Sequence, residues 1–162
     1  MRKAEVVLKD GRVLVIRDMT EGDTPQVARL EEQIFSMPWS EHAFRAEVGK
    51  EDRLFVVAYL EEELAGYCGV LALAGEGDIT NVAVAPGFRR LGVGRQILST
   101  VLAWGEQMGL TDFTLEVRTG NQPAISLYES LGFESAGVRR NFYEKPREDA
   151  LIMWKRHGNN YH

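Results

Sequence analysis

The chain has 162 residues, of which 44% are hydrophobic and 27% charged. That is the size and composition of one globular domain, able to bury roughly 70% of its unfolded surface without disulfides or metal. No apolar run approaches the roughly 18 residues of a membrane span, the N-terminus lacks a signal-peptide core, and the lone Cys68 excludes an internal disulfide and a cysteine-built zinc site, so a cytoplasmic protein off the membrane is expected. The net charge of −5 argues against direct nucleic-acid binding. It divides into −7 over residues 1–80 and +2 over residues 81–162, so an anionic ligand suits the second half and a basic partner the first.

In chain order, Asp10-Gly11 between the runs Glu5–Lys9 and Arg12–Arg17 predicts a hairpin. A helix follows, with Thr24 as its cap, Pro25 in its first turn and Val27, Leu30 and Ile34 on one face. Pro38-Trp39-Ser40 interrupts it, and Ser40 caps a second helix through Phe44 and Val48. Leu54–Leu60 and Leu64–Leu73 form a hairpin around Glu61-Glu62-Glu63, and Asp78–Val84 is a strand stopped by Ala85-Pro86-Gly87. Next come a helix carrying Ile97, Leu98, Val101, Leu102 and Met108 up to Gly109, a strand Asp112–Val117, a helix Asn121–Leu131, and strands Phe133–Arg140 and Ala150–Trp154.

Strand, helix, strand from Asp78 to Val117 implies a right-handed crossover and a parallel pair. Antiparallel hairpins flank it, so the expected fold class is α/β. The sheet is mixed and mostly antiparallel, with a central parallel strand pair and helices on both faces. Residues 1–157 are expected as one domain, and 158–162 as a frayed tail.

Between the central strand and its helix lies Arg89-Arg90-Leu91-Gly92-Val93-Gly94-Arg95. Glycines there let backbone approach a ligand, and open amides at a helix start bind phosphate. The same residues also serve as a plain turn needing glycine dihedrals. No Gly-Lys-Ser/Thr follows, so this is not a P-loop. Its position mid-chain behind a hairpin does not fit the dinucleotide fingerprint.

Glu116 interrupts an apolar strand, which needs a reason. One reason is exposure or an ion pair with Arg118; the other is a general base at the C-terminal end of a parallel strand. Tyr128 shares a helix face with Ile125 and Leu131 and, taken by itself, reads as a core tyrosine with a satisfied hydroxyl. Cys68, inside Gly66-Tyr67-Cys68-Gly69, reads as a small core residue, and the three histidines lack metal-ligand spacing, so no metal is expected.

The stretches NVAVAPGFRRLGVGRQIL and LEVRTGNQPAISLYESLGF resemble the two conserved blocks of the GNAT N-acetyltransferases. With FSMPWSEHAF and RRNFY…REDALIM, the resemblance extends over residues 12–155 to the RimI-type ribosomal-protein-alanine N-acetyltransferases. It implies a single GNAT domain with acetyl-CoA as cosubstrate. Val82, Ala83 and Val84 would hold the pantetheine arm, Arg90, Leu91, Gly92, Val93, Gly94 and Arg95 the pyrophosphate, and Asn121 a further part of the cofactor. Glu116 would be the base and Tyr128 the acid that protonates the departing thiolate. The implied partner is the N-terminus of a ribosomal protein, whose alanine amine attacks directly in a ternary complex. Acetylation of lysine side chains or small amines, and a non-catalytic acyl-CoA sensor, are the alternatives. The sequence leaves the oligomeric state open, with a monomer as the expectation.

On the substrate side, Trp39 is expected either to wall the peptide slot or to anchor the two helices, with Asn141 and Tyr143 on the opposite lip. Glu31, Glu32, Glu41 and Glu47 gather around Pro38-Trp39-Ser40 in the sequence and suggest an acidic field for a basic peptide. Two departures from the family pattern lie at possible binding edges: the extra strand before Arg12, and the short segment Glu144–Arg147.

Overall fold

The computed structural model describes residues 1–157, and the tail expected at 158–162 lies outside them. Eight strands form one sheet: β1 (Lys3–Val7), β2 (Val13–Asp18), β3 (Arg53–Leu60), β4 (Glu63–Leu73), β5 (Glu76–Val84), β6 (Asp112–Arg118), β7 (Glu134–Tyr143) and β8 (Glu148–Lys155). Their spatial order is β1-β2-β3-β4-β5-β6-β8-β7, and only β5 and β6 run parallel. The helices are α1 (Thr24–Ile34), α2 (Glu41–Glu47), α3 (Val93–Gln107) and α4 (Gln122–Ser130). The mixed, mostly antiparallel α/β architecture matches the sequence expectation. Among the described residues no helix is long and apolar enough to cross a membrane.

Alternation along the strands sorts the core into two layers. Leu54, Val56, Cys68, Val70, Leu115 and Val117 pack with Ile97, Leu98 and Val101 of α3 and with Ile125 and Tyr128 of α4. On the other face Phe55, Val57, Tyr67 and Ala83 pack with Val27 and Leu30 of α1 and Phe44 of α2. Each apolar strand face, of period 2, is thus covered by the apolar stripe of a helix, of period 3.6.

One irregularity decides what the sheet can do. Gly69 pairs with Asn81 but Val70 pairs with Ile79, so Thr80 is an extra residue in β5. Such a bulge bends its strand and reverses the side-chain alternation beyond it. Ile79 therefore joins the α3 layer while Ala83 faces α1 and α2. The parallel pairing with β6 stops at Ile79 and Leu115, and the ends of the two strands part from there.

The start of α1 differs from the expected Thr24 cap. A 3-10 turn over Glu21–Asp23 precedes it, with Thr20 and Asp23 forming a capping box and Asp23 at the N-cap. Asp23 is drawn there by other partners. The Arg17 guanidinium grips both its oxygens at 2.8 Å, and the Tyr59 hydroxyl donates at 2.8 Å. Burial by itself would push this carboxyl up, but Arg17, the Thr20 amide and Tyr59 outweigh it and hold the pKa at about 2. A depressed carboxyl stabilises the fold above its unfolded value of about 3.9, and that stabilisation is lost as pH falls towards 2. We expect roughly 2 kcal/mol to disappear between pH 5 and pH 2. In urea melts across that range, Asp23→Asn should flatten the acid limb relative to wild type. Parallel acid limbs would show that Asp23 is not the group responsible.

Candidate active site

The splay between β5 and β6 is the structural origin of the site. Beyond Ile79 the β6-facing backbone groups of β5, including those of Val82, Ala83 and Val84, have no strand partner. Open backbone polar groups at the floor of a cleft are an extended hydrogen-bonding surface for a ligand.

At the end of β5 the chain makes a 3-10 turn over Pro86–Phe88 and enters α3. The backbone N–H groups of Leu91, Gly92, Val93, Gly94 and Arg95 donate to no acceptor among the described residues. Helix starts leave such donors open, and a following helix dipole favours an anion there. The Leu91 side chain packs against the core and that of Val93 is buried in it, so any ligand contact from these two is through backbone. Arg90 and Gly92 both have positive φ, +67° and +83°, which turns successive amides towards one side. Arg89, Arg90 and Arg95 form no ion pair with a carboxylate among the described residues; Arg95 donates to Ser130 Oγ at 2.7 Å.

The two loop glycines have different roles. A Cβ on Gly94 would lie 3.4 Å from Leu127 and from Val84, at the limit of ordinary contact, so Gly94 sits close against α4 and β5. A Cβ on Gly92 would meet nothing within 4 Å, so Gly92 opens outward and is needed for its left-handed conformation. Asn121 caps α4, its Oδ1 accepting from the Ala124 amide at 3.4 Å. That leaves its side-chain NH₂ without a partner among the described residues.

Glu116 and Tyr128 belong to opposite faces of the sheet. Leu115 and Val117 point into the α3 layer, which places Glu116 on the α1 side. Tyr128 stands in the α3–α4 layer with its ring 6.0 Å from Phe133. Because β5 and β6 part at this level, the gap between them is accessible to groups from both faces. Tyr128 is only 6% exposed, yet its hydroxyl bonds to no other described residue. Every fully buried side-chain polar atom described has a partner, so this hydroxyl retains contact with solvent. Burial raises its pKa, and Cys68 and Tyr143 add to that, so it stays protonated.

Glu116 does not pair with Arg118, the partner one reading of the sequence suggests. Its Oε2 accepts from Arg139 of β7 at 3.0 Å. Asp78 stands nearby on β5; partial burial and then the Glu116 charge raise its pKa. Arg118 instead ties two loops together. It donates to Ser36 Oγ at 3.2 Å in the α1–α2 loop, and to Glu144 O at 3.1 Å and Pro146 O at 2.9 Å in the β7–β8 loop. Its guanidinium also lies 4.4 Å from the centre of the Tyr143 ring. Burial, then the charge of Glu116, pushes the Tyr143 hydroxyl up to about 12. Arg139 and Asp78 were not singled out by sequence, and Arg118 only as a partner for Glu116. Their only signal is position on the strand face of Glu116, which becomes useful once the strand order is known.

Trp39 sits among aromatics, 5.3 Å from Phe44 and 5.9 Å from Phe55 between ring centres, as the anchor reading expects. Its amide donates to Glu31 Oε2 at 2.9 Å. Asn141 adopts φ +53° at an irregularity in β7, with its amide donating to Asp149 Oδ1 at 2.8 Å. The free acidic field expected around Trp39 is not present. Glu31 is buried, Glu41 pairs with Arg45 at 2.8 Å, and Glu47 pairs with Arg53 and Lys50. The sequence places these charges together, but Glu31 is turned into the core and cations neutralise Glu41 and Glu47.

Cys68 is fully buried, and burial pushes its thiol up to about 12, which excludes it as a surface nucleophile. Among the described residues no three His, Cys, Asp or Glu side chains gather as metal ligands.

Residues 24–133 match the family model described as Acetyltransferase (GNAT) family. The chain is 35% identical over 140 residues to the [Ribosomal protein bS18]-alanine N-acetyltransferase of Escherichia coli (strain K12), covering 85% of this chain and 94% of that protein. It is 32% identical over 140 residues to the Putative [ribosomal protein bS18]-alanine N-acetyltransferase of Bacillus subtilis (strain 168), covering 86% and 93%. The crystal structure of the ribosomal-protein-S18-alanine N-acetyltransferase from Escherichia coli superposes with a TM-score of 0.82 at 34% identity, over 88% of this chain and 93% of that one. A strand gap, an open amide array at a helix start and this sequence likeness converge: the chain belongs to the GNAT acetyltransferase family.

Proposed function

We propose that this enzyme transfers the acetyl group of acetyl-CoA to the N-terminal alanine amine of a ribosomal protein, by direct attack in a ternary complex. The observation that carries this reading is the gap between β5 and β6. It has unpaired backbone along one wall, five open amides at its end, and a carboxylate and a free phenol facing it from opposite sides of the sheet. The residues fit acetyl-CoA. Leu91–Arg95 offer amides to a pyrophosphate, Val82–Val84 offer a strand edge to the pantetheine amides, and the Asn121 side chain adds a donor. When bound, acetyl-CoA supplies an acyl thioester and a thiol leaving group. The choice of a ribosomal N-terminus follows the relatives at 35% and 32% identity, and a cytoplasmic site of action follows from that substrate.

The residues of the chain divide the work. An N-terminal amine has a pKa near 8, so roughly a tenth is already neutral at pH 7. Glu116 takes the remaining proton, directly or through a water. An amide of Val82–Val84 donates to the acyl oxygen as charge develops there. Tyr128, kept protonated by burial, is the acid for the leaving sulfur. A lysine amine, neutral in about 0.04% of molecules at pH 7, would demand a stronger base. Cys68 is sealed in the core and unavailable as an acyl carrier, which favours direct transfer. Trp39, through the turn it anchors, and Asn141 and Tyr143 on the facing lip shape the peptide entrance.

Three outcomes check this reading. Gly92→Val should weaken acetyl-CoA binding roughly tenfold in calorimetry, because a branched side chain resists the left-handed conformation that aims the amides. Gly92→Asn should lose less, and unchanged affinity in both variants would remove the loop from the cofactor site. Glu116→Gln should keep acetyl-CoA affinity and lower kcat by roughly 10²–10⁴. Tyr128→Phe should also slow turnover, with the smaller effect expected of a thiolate that leaves readily. Undiminished turnover of Glu116→Gln at pH 7 would end the base assignment. Finally, thiol release should be seen with an alanine-starting peptide and not with its N-blocked form, whereas preference for an internal lysine or a polyamine would overturn the substrate.

A further inference from the structure

The β7–β8 side of the cleft carries a row of contacts that the transfer chemistry above does not use. Across the sheet Arg118 of β6 lies opposite Ala150 of β8, and Ala150 lies opposite Arg139 of β7. One row along, Glu116 lies opposite Ile152, and Ile152 opposite Gly137. Residues directly opposite one another share a face. Glu116 and Arg139 are therefore on one face but two strands apart, about 10 Å at the usual spacing. Only a long side chain crosses that distance. Ala150 and Gly137 add little bulk in its way, and Arg139 bridges β8 to reach Glu116 Oε2 at 3.0 Å.

Arg139 is itself supported. Its guanidinium lies 4.7 Å from the centre of the Phe142 ring, and Phe142 meets Tyr143 edge-on at 5.0 Å. Tyr143 in turn lies under Arg118, which is fixed to both loops at the peptide entrance. Glu116 is thus one end of a series that begins with Arg118 at the loops and runs through the rings of Tyr143 and Phe142 to Arg139. Among the described residues Glu116 has no other hydrogen-bond partner, so Oε1 is unoccupied while Oε2 is held.

We propose that Arg139 is a positioning residue for Glu116. It fixes one carboxylate oxygen across β8, so that the other is presented to the incoming amine or its water. This rests on the reading of Glu116 as the base. A carboxylate without this tether samples several rotamers, and small misplacements of a catalytic group are costly in rate. Arg139 is 54% exposed on an edge strand, so its removal leaves the core intact. The exposed ion pair contributes little to stability and acts through geometry.

The test is a double-mutant cycle on the full chain with an alanine-starting peptide, following kcat and the KM for acetyl-CoA. Arg139→Ala should lower kcat about tenfold with the acetyl-CoA KM unchanged. Arg139→Lys should recover part of the loss, since it keeps the charge but not the planar fork or the stacking. Phe142→Leu, which leaves the charge and removes its support, should show a smaller loss of the same kind. In the Glu116→Gln background none of the three should lower kcat further. Equal fold losses with and without Glu116 would overturn the proposal and make Arg139 an independent substrate contact, as would wild-type turnover of Arg139→Ala. Normal turnover of Glu116→Gln alone would instead show that the base reading had failed first.

Discussion

The structure depends on one extra residue. Thr80 has no counterpart in β4, and its insertion bends β5 away from β6 after four paired residues. The bulge is pinned by side chains. The Thr80 hydroxyl donates to Asn81 Oδ1 at 2.7 Å, and Asn81 Nδ2 donates to Glu31 of α1 at 3.4 Å. The Tyr67 hydroxyl and the Trp39 amide donate to the same carboxylate at 2.7 and 2.9 Å. Glu31 and Asn81 are both buried, where an unmet polar group costs about 1–3 kcal/mol, so the network accepts little rearrangement. The interactions that open the sheet thus also fix the turn that carries Trp39.

Opening a sheet has a chemical consequence that a closed one cannot match. In a continuous sheet the two faces are separate, and a side chain on one face never meets a side chain on the other. Where β5 and β6 part, that separation is interrupted, with Glu116 on the α1 face of β6 and Tyr128 in the layer packed on the α3 face. Tyr128 is enclosed by apolar groups that favour its neutral form, whereas Glu116 is partly exposed with Arg139 against one of its oxygens.

Charge in this chain is organised locally. Several acids of the first half are held in specific pairs, such as Arg17 with Asp23, Arg53 with Glu47 and Arg45 with Glu41. Arg89, Arg90 and Arg95 before and at the start of α3 have no carboxylate partner among the described residues, and that is where an anion is expected. Between these regions Arg118 joins the α1–α2 and β7–β8 loops, which meet even though they lie more than a hundred residues apart in sequence.

The element order was legible from the sequence because most segments carry an unambiguous period: alternation in β3, helical spacing in α3, and turn residues between them. The glycine loop and Glu116 stood out in the sequence, since glycines at a helix start and a carboxylate in an apolar strand are local anomalies, whereas Tyr128 on an apolar helix face read as a core residue and stood out only through the family resemblance. The bulge was not legible. Ile79, Asn81 and Ala83 alternate as if on one face, and only pairing with β4 shows that Thr80 shifts the phase. The partner of Glu116 was hidden for a related reason. Arg118 is two residues away in sequence, but the order β6-β8-β7 brings Arg139 across the small Ala150 instead. Periodicity and local anomaly, which depend on near neighbours, were determined by the sequence alone. Strand register and the pairing of charges depend on contacts between distant segments, and only the tertiary structure decided them.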